Sequence, residues 1–199
     1  MNFLSNIDEY FNELTEVMKK VDKYQINAVM KKLVEVNQRG GCIYIFGNGG
    51  SASTASHFVV DFNKGVSEKL SKKFKFICLN DNIPSLTAIS NDMNYSQVFK
   101  FQLQNYLTEK DIVIGISGSG NSENVVQAVK YANEYGVETI VLIGYDGGEL
   151  KKCAKYYIHV PINDMQKVED IHMVLDHMMM KILKDYLESD YIQVEEIAL

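Results

Sequence analysis

Arginine is nearly absent from this chain of 199 residues, in which Arg39 is the only one. A guanidinium group grips a phosphate through two parallel hydrogen bonds, so a phosphate site in this chain would rest on hydroxyls and backbone amides instead. The formal net charge is −6, and the sequence shows no basic patch. We therefore expect no nucleic-acid partner, because affinity for its phosphate backbone comes largely from clustered lysine and arginine.

Cysteine is scarce as well, and Cys42, Cys78 and Cys153 match no Cys-x-x-Cys spacing. Two of them lie in apolar runs that are typical of buried strands, so we interpret all three as reduced core thiols. The sequence has no N-terminal apolar signal segment and no run of about 18 apolar residues, which supports neither secretion nor a membrane span. We therefore expect a cytoplasmic protein with no membrane partner.

Proline occurs only twice, and no linker-like stretch interrupts the chain. Hydrophobic residues make up 46% of the sequence, which is enough apolar surface for a core. The length suits one α/β domain. We therefore expect a single domain over residues 1–199, whose parts are N-terminal helices at 1–40, an α/β core with the last helix at 41–188, and a tail at 189–199.

Hydrophobic periodicity predicts the secondary structure. Apolar residues at helical spacing fill the first 40 residues and predict two helices that end at Gly40 and Gly41. Five apolar, β-rich runs then alternate with helix-sized segments, at 42–46, 74–79, 111–116, 138–143 and 156–160. A last helix is predicted from Asp164 to about Leu187. This alternation predicts an α/β fold with a single doubly wound parallel sheet of about five strands flanked by helices.

The most informative segment is residues 112–122, where an apolar run enters a loop of serines and glycines before a helix-like stretch. Glycines let the backbone approach an anion, and the following helix offers unpaired N–H groups at its positive end. Ser117, Ser119 and Ser122 add neutral donors. No Lys-Ser or Lys-Thr follows the last glycine, and the spacing is not Gly-x-Gly-x-x-Gly, so we expect no nucleotide cofactor.

A second segment of the same kind lies at residues 42–51, where an apolar run leads into Gly-Asn-Gly-Gly-Ser. Either segment alone could be a plain turn between a strand and a helix. In a parallel sheet, however, loops at the carboxyl ends of neighbouring strands converge on one crevice. The two segments together therefore predict one ligand site, in which one loop could hold a phosphate and the other a sugar.

Two pairs of ionisable residues stand on predicted helices. His57 and Asp61 are four residues apart and share a helix face. Glu169 and His177 are eight residues apart on the last helix, which is about 80° around its axis. Two histidines and two carboxylates could perform general acid and base chemistry or bind a borderline divalent metal such as zinc, and the residues leave both readings open.

Two other polar pairs receive a structural interpretation from the sequence. Asn91 and Asp92 fall at a helix junction, where capping and turn formation are the commonest use of such residues. His172 and Asp176 are four residues apart on the last helix, so we expect a local hydrogen-bonded pair.

These motifs resemble the sugar isomerase (SIS) domain family, and most closely its phosphoheptose isomerase branch. The likeness spans nearly the whole chain, through the loops at 47–51 and 117–122, the Asn91-Asp92 pair, and the helix that carries His172 and His177. The resemblance implies a flavodoxin-like fold and a homotetramer with sites near subunit interfaces. It also implies conversion of sedoheptulose 7-phosphate into D-glycero-D-manno-heptose 7-phosphate, which feeds heptose-containing surface glycans.

The resemblance also assigns roles residue by residue. The positions that bind substrate are Asn48, Gly49, Gly50, Ser51, Asn91, Asp92, Ser117, Gly118, Ser119, Ser122 and Glu169, and the serines among them cradle the phosphate. Asp61 aligns with the glutamate that is the family's general base, and His177 aligns with its partner histidine. One zinc ion per subunit, where members hold one, would be bound by the positions matching His57, Asp61, Glu169 and His177.

Two positions depart from the family's pattern. Asp61 is one methylene shorter than the usual glutamate, so substrate position must compensate for proton transfer to occur. Glu169 replaces a glutamine, and its charge should favour metal binding and disfavour an anionic substrate nearby. We expect aldose-ketose isomerisation through an enediol, with Asp61 and His177 as the acid/base pair, and the sequence leaves open whether a metal assists.

Two alternative functions stay open at this level. The first is a non-catalytic sugar-phosphate-binding protein, like the replication-initiator-associating member of the same family, which residues 79–92 and 145–150 also resemble. The retained His57, Asp61 and His177 favour an enzyme, because a scaffold has no need of them. The second alternative keeps the isomerase chemistry but changes the sugar phosphate.

Overall fold

A computed structural model of the chain describes the backbone of residues 1–197 and the side chains of residues 1–189. Its centre is one parallel sheet of five strands in the order β2-β1-β3-β4-β5. The strands are β1 Ile43–Gly47, β2 Phe76–Cys78, β3 Ile112–Ser117, β4 Glu138–Ile143 and β5 Tyr156–His159. The predicted doubly wound parallel sheet is therefore confirmed.

The strand order places a topological switch point between β1 and β3. The chain leaves β1 towards β2 on one side and returns to add β3 on the other side. Ligands of open α/β sheets bind outside the carboxyl ends of the strands at such a point. Both glycine- and serine-rich segments of the sequence follow these two strands, so the fold brings them to the same edge.

Eight α-helices lie in the described chain. They are α1 Leu4–Lys20, α2 Lys23–Arg39, α3 Gly50–Val60, α4 Ile83–Asp92, α5 Val98–Tyr106, α6 Glu123–Tyr135, α7 Gly148–Cys153 and α8 Met165–Ile197. Helix α3 continues as a π-helical turn over Asp61–Val66, and a 3-10 turn at Tyr95–Gln97 separates α4 from α5. The two predicted N-terminal helices are confirmed, and α2 ends at Gly40 with a φ of 76°, a left-handed conformation that glycine adopts without strain.

Helix α8 extends further than the sequence pattern indicates. Apolar periodicity predicts an end near Leu187, with a tail from 189 onward, but the helical backbone continues to Ile197. Residues 188–197 contain neither glycine nor proline, so nothing in them ends the helix. An apolar stripe marks where a helix packs, not where it stops. The last two residues of the predicted tail, 198–199, lie outside the described part of the chain.

Both faces of the sheet are covered, which is why its central strands β1 and β3 are almost wholly apolar. All five residues of β1 and all six of β3 are buried. One core layer packs α2, α3 and α8 against the sheet, with Leu33, Phe58 and Phe62 at its centre. The other packs α5 and α6, where Phe46 and Phe99 stack with ring centroids 4.6 Å apart. Burial of each such side chain contributes about 1.5–3 kcal/mol.

Three smaller features bear on the expectations from composition. The single arginine, Arg39, lies at the amino end of the sheet, where its Nε donates to the Lys110 carbonyl over 2.7 Å and its guanidinium pairs with Glu138 at 3.3 Å. All three cysteines are free, with Cys78 buried and the other two half-buried. Among the described residues, no helix is both long and apolar enough to span a membrane.

Candidate active site

The loop after β1 depends on glycine for its shape. A Cβ on Gly47 would lie 2.7 Å from the Ser51 Cβ and 2.8 Å from the Ile116 carbonyl oxygen, so no larger residue fits where α3 meets β1 and β3. Gly49 has a φ of 55° and stands at the N-terminal end of α3. The close approach directs the first N–H groups of α3, and the buried Ser51, towards the switch point.

The loop after β3 is held from two sides. The Ser117 and Ser122 hydroxyls are hydrogen-bonded to each other over 3.0 Å. Gly120, with a φ of 69°, lies against the Gly147 carbonyl, and its own carbonyl accepts from the Leu150 N–H over 3.0 Å. Ser122 precedes the first turn of α6. The glycine-rich turn after β4 therefore packs against the loop after β3 and is hydrogen-bonded to it.

The two loops face one cavity of about 260 Å³, as the sequence predicts. Its lining residues are Asn48, Gly49, Gly50, Ser51, Ile116, Ser117, Gly118, Ser119, Ser122, Met165 and Glu169. The N-terminal ends of α3 and α6 point towards it and provide partial positive charge. Glu169, the fifth residue of α8, is the one charged side chain in this lining. The hydroxyls and helix ends suit the cavity to a small anion held by neutral donors, and the Glu169 carboxylate opposes negative charge beside it.

A second group of polar side chains lies where α3 meets α8. His57 Nε2 and His177 Nε2 are 3.0 Å apart, although 120 residues separate them in sequence. Asp61 Oδ2 lies 3.7 Å from the first of these nitrogens and 3.9 Å from the second. Asp61 is the first residue of the π-helical turn, a helix form that occurs frequently at functional sites. We call these three residues the His-Asp-His cluster.

The geometry of the His-Asp-His cluster suits a metal ion. One ligand atom from each residue lies within 4.8 Å of the others. Asp61 Oδ2 is buried and has no hydrogen-bond partner among the described residues, which is costly for a carboxylate oxygen unless a cation or proton reaches it. Two neutral imidazole nitrogens and one carboxylate oxygen are a common donor set for zinc.

Glu169, the fourth predicted metal ligand, does not join this cluster within the described chain. Its carboxylate lies against Gly50, where a Cβ would clash with it. Glu169 therefore faces the serine-lined cavity, and the glycine at position 50 makes room for it. Glu169 and His177, the two predicted site residues of α8, therefore face different regions. Glu169 faces the cavity and His177 belongs to the His-Asp-His cluster, because eight residues separate them by about 12 Å along the helix.

Asn91 and Asp92 lie outside the cavity lining in this single chain. They are the last two residues of α4, both are exposed, and Asn91 Nδ2 donates to Asp92 Oδ1 over 2.9 Å. The segment that follows them nevertheless reaches the site, because the Tyr95 hydroxyl donates to Asn48 Oδ1 over 2.8 Å. Sequence reasoning missed Tyr95, which belongs to no motif and lies 47 residues from its partner.

The predicted hydrogen bond between His172 and Asp176 is wrong. Both side chains are fully buried, and no hydrogen bond joins them. Sharing a helix face brings two residues near each other but does not aim their polar atoms. Burial raises the pKa of Asp176 to about 8, with a further contribution from the negative charge of Asp61. Burial also lowers the pKa of His172 to about 4, so its ring stays neutral at physiological pH.

Comparison with known proteins gives a consistent result. The family model for the SIS domain matches residues 9–144. The chain is 33% identical over 183 residues to a probable phosphoheptose isomerase of Thermoplasma volcanium, covering 92% of this chain and 93% of that protein. It is 38% identical over 159 residues to a phosphoheptose isomerase of Helicobacter pylori, covering 80% of each.

Solved structures resemble the fold closely. A phosphoheptose isomerase from Francisella tularensis matches with a TM-score of 0.86 and 26% identity, over 93% of this chain and 100% of that one. The sugar isomerase domain of an RpiR transcription factor from Sphaerobacter thermophilus matches with a TM-score of 0.68 over 98% of this chain and 96% of that one. At 14% identity the second likeness shows the fold alone.

Proposed function

The chain belongs to the SIS domain family, in its phosphoheptose isomerase branch, and on this premise we propose that it converts sedoheptulose 7-phosphate into D-glycero-D-manno-heptose 7-phosphate. The observation that carries the proposal is the position of the serine-lined cavity relative to the His-Asp-His cluster. Helix α3 runs from Ser51 to His57, about 9 Å along its axis, and on to Asp61 at about 15 Å. A long open-chain sugar phosphate can have its phosphate at one end of this path and its carbonyl at the other.

The phosphate is bound by neutral donors. Ser51, Ser117, Ser119 and Ser122 offer hydroxyls, and the starts of α3 and α6 offer backbone N–H groups. Interactions with this remote, non-reacting group orient the carbonyl end of the substrate, so that binding energy lowers the entropic part of the barrier. Asn48, Gly49, Gly50, Gly118 and Glu169 complete the contacts along the cavity, and we propose Asn91 and Asp92 as further substrate contacts.

The reaction is a proton transfer in two stages. Asp61 removes a proton from C1 while His177 delivers one to the C2 carbonyl oxygen, which gives an enediol. The C1 hydroxyl then returns a proton to His177 and C2 gains one from Asp61, which leaves an aldehyde at C1, a hydroxyl at C2 and both catalytic groups in their starting states. No atom is gained or lost, and no external oxidant is needed. Positioned general acids and bases of this kind contribute typically 10²–10⁴-fold to the rate.

We propose that the same three residues, His57, Asp61 and His177, hold one zinc ion in a metal-bound form of the site: Asp61 and His177 transfer protons when the cluster is free of metal, and they act as ligands when zinc is bound. Support comes from the donor set and from the buried Asp61 Oδ2 that has no hydrogen-bond partner among the described residues. Such an ion would act as a Lewis acid on the carbonyl and hydroxyl oxygens. For Glu169 to serve as a fourth ligand, its carboxylate would have to turn away from Gly50, so we propose it first as a substrate contact.

We further propose a cytoplasmic homotetramer in which residues 1–199 form one SIS domain per subunit. Apolar side chains are exposed along one side of α1 and α8, at Phe3, Leu4, Ile7, Phe11, Val174 and Ile182. An apolar groove of about 420 Å³ lies between these helices and α2. Such surfaces are typical of faces that are covered by other subunits. The exposure of Asn91 and Asp92 fits sites that are completed near subunit interfaces.

Incubation with sedoheptulose 7-phosphate in deuterated water tests the proposed function. We expect NMR to detect the aldose phosphate, with deuterium at C2 of the product and exchange at C1 of the ketose. Metal analysis of protein purified without chelator, together with activity before and after zinc addition, tests the cation. Absence of conversion both with and without zinc would contradict the proposal and favour another sugar phosphate or a binding role.

A further inference from the structure

The side chain of Asn48 belongs to a hydrogen-bonded triad with Asn124 and Tyr95. Asn48 Nδ2 donates to Asn124 Oδ1 over 2.8 Å, and Asn124 Nδ2 donates back to Asn48 Oδ1 over 2.9 Å. The Tyr95 hydroxyl donates to the same Asn48 Oδ1 over 2.8 Å. The three residues come from the loop after β1, the first turn of α6 and the 3-10 turn after α4. Three separate segments therefore meet at one amide.

A backbone amide determines which way round this triad is arranged. The Val125 N–H, which can only donate, is shared between Asn124 Oδ1 and the Ser122 carbonyl oxygen, each 3.0 Å away, so an amide nitrogen in place of Asn124 Oδ1 would set donor against donor. Asn124 is 2% exposed, so water does not compete for its amide. Its oxygen must therefore accept and its nitrogen must donate, which turns Asn48 Oδ1 towards Asn124 Nδ2. With the Tyr95 hydroxyl as second donor, both lone pairs of Asn48 Oδ1 are used.

The arrangement leaves one donor of Asn48 for a ligand. A primary amide carries two N–H groups. Among the described residues, Asn124 is the partner of one of them, and no second partner of Asn48 Nδ2 is present. Asn48 lines the serine-lined cavity, next to Gly49. The group that it meets on a bound molecule must therefore be an acceptor, such as a hydroxyl, carbonyl or phosphate oxygen.

We propose that Tyr95 is a positioning residue for substrate: Asn124 sets which way the Asn48 amide is turned, and the Tyr95 hydroxyl holds that amide in place so that its free N–H faces the bound sugar phosphate. This inference rests on the proposed function. Tyr95 is 55% exposed and does not line the cavity, so it acts through Asn48. Loss of its hydroxyl leaves Asn48 Oδ1 with the Asn124 donor alone, so the amide keeps its orientation but its position relative to the cavity is held less firmly.

Substitution of Tyr95 by phenylalanine removes one oxygen atom and keeps the ring. We expect Tyr95→Phe to raise KM for sedoheptulose 7-phosphate five- to tenfold, with kcat within twofold of wild type, because the reacting groups are not touched. Tyr24→Phe is the matched control, since Tyr24 is 86% exposed on α2, and it should leave both constants unchanged. A KM for Tyr95→Phe within twofold of wild type would overturn the inference.

A double-mutant cycle tests whether Tyr95 acts through Asn48. In an Asn48→Ala background, Tyr95→Phe should change substrate affinity less than twofold, because the amide that it positions is already gone. Persistence of the full five- to tenfold effect in that background would show a different role for the tyrosine. The affinities are measured by titration of sedoheptulose 7-phosphate, so that a slow variant can still be compared.

A readout without turnover separates this inference from the proposed function. In ¹⁵N–¹H spectra of the free protein, the side-chain amide signals of Asn48, assigned with Asn48→Asp, should shift or broaden in Tyr95→Phe. Those of Gln38, on the distant α2, should not move. If these signals behave as expected while wild type fails to isomerise the sugar, only the proposed function fails. If wild type isomerises but the Asn48 signals and KM are unchanged in Tyr95→Phe, only the positioning role fails.

Discussion

The serine-lined cavity and the His-Asp-His cluster are built in opposite ways. The cavity takes backbone amides and neutral hydroxyls from two loops, each of which directly follows its own strand. The cluster takes ionisable side chains from two helices that are distant in sequence, His57 and Asp61 from α3 and His177 from α8. Its geometry therefore depends on how those two helices pack, whereas that of the cavity depends on local turns.

This difference separates anchoring from chemistry. A donor that stays neutral can hold a phosphate but cannot move protons near neutral pH, while a histidine or carboxylate can do both. Changes in the cluster should therefore affect kcat, and changes in the cavity should affect substrate affinity. Variants that alter one region alone test whether the division holds.

The largest effect is expected in the His-Asp-His cluster. Asp61→Asn and His177→Ala should each lower kcat by about 10²–10⁴-fold, with KM changed less than about threefold, because a proton-transfer group is lost while the anchoring groups remain. Asp185→Asn, at an exposed position on α8, is the matched control and should retain activity. Steady-state kinetics provide the measurement. Turnover at the wild-type rate in either variant would remove that residue from the mechanism.

The dependence of stability on pH also distinguishes the two regions. Helix α8 carries buried ionisable side chains, His172 and Asp176, whereas the two loops that line the cavity carry none. Folding lowers the pKa of His172 to about 4 from 6.5, so between those values the unfolded chain binds more protons. The contribution of the neutral His172 ring to the free energy of unfolding is therefore complete above pH 6.5 and is lost as the pH falls towards 4. On going from pH 7 to pH 5, wild type should lose about 2 kcal/mol more unfolding free energy than His172→Gln.

Urea unfolding at both pH values measures this difference. The raised pKa of Asp176 acts in the opposite direction, since the folded chain then holds the extra proton and stability falls as the pH rises towards 8. That contribution is common to wild type and His172→Gln, and it cancels in their difference. Equal pH dependence of the two proteins would mean that His172 titrates alike in the folded and unfolded states.

In the cavity, Ser122→Ala should lower kcat/KM about tenfold, because a hydrogen bond to a charged group is worth about 1.5–3 kcal/mol and water can replace part of it. Its hydroxyl bonds to Ser117, so the partner is also released. Ser5→Ala, on the exposed side of α1, is the control. An effect on kcat alone, with KM unchanged, would place Ser122 among the reactive groups. That result would contradict the separation of anchoring residues from reactive residues.

The smallest effect concerns the charge of Glu169. Glu169→Gln keeps the shape of the side chain and removes a negative charge from the cavity, so affinity for inorganic phosphate should rise about threefold by relief of repulsion. Titration of the metal-free protein with phosphate gives the measurement, and Glu134→Gln on α6 serves as control. Weaker phosphate binding in Glu169→Gln would show that the carboxylate supports the anion site, for instance by holding the loop at Gly50.

The sequence predicts the cavity better than the cluster for the same physical reason. Each loop is encoded in a continuous segment, so that glycine spacing and the preceding apolar run indicate its place at the edge of the sheet. Helical spacing pairs His57 with Asp61 but cannot say which residues of another helix they meet. The same spacing makes His177 a candidate on α8, but its role as partner of Asp61 is what resemblance to a family implies, and the packing of α3 on α8 brings its nitrogen within 3.0 Å of that of His57.

The remaining differences arise where contacts between distant segments decide the outcome. Glu169 faces the cavity because Gly50 leaves room for its carboxylate, which no pattern on α8 indicates. Tyr95 reaches Asn48 through a 3-10 turn that has no strong sequence signal. Helix α8 continues past the last residue of its apolar periodicity, because that periodicity indicates where a helix packs and not where it ends. The sheet itself was predictable, since five apolar runs alternate with helix-sized segments.

The only arginine of the chain, at the far end of the sheet from the cavity, has a consequence for how such a scaffold can diversify. The proposed phosphate donors are backbone amides and neutral hydroxyls, so no shift of pH near neutrality changes their charge, and substitution of a side chain cannot delete the main-chain donors among them. The carbonyl end relies on a few side chains of α3 and α8 that can be exchanged one at a time. One half of the site can thus stay constant while the other acquires new chemistry on the same framework.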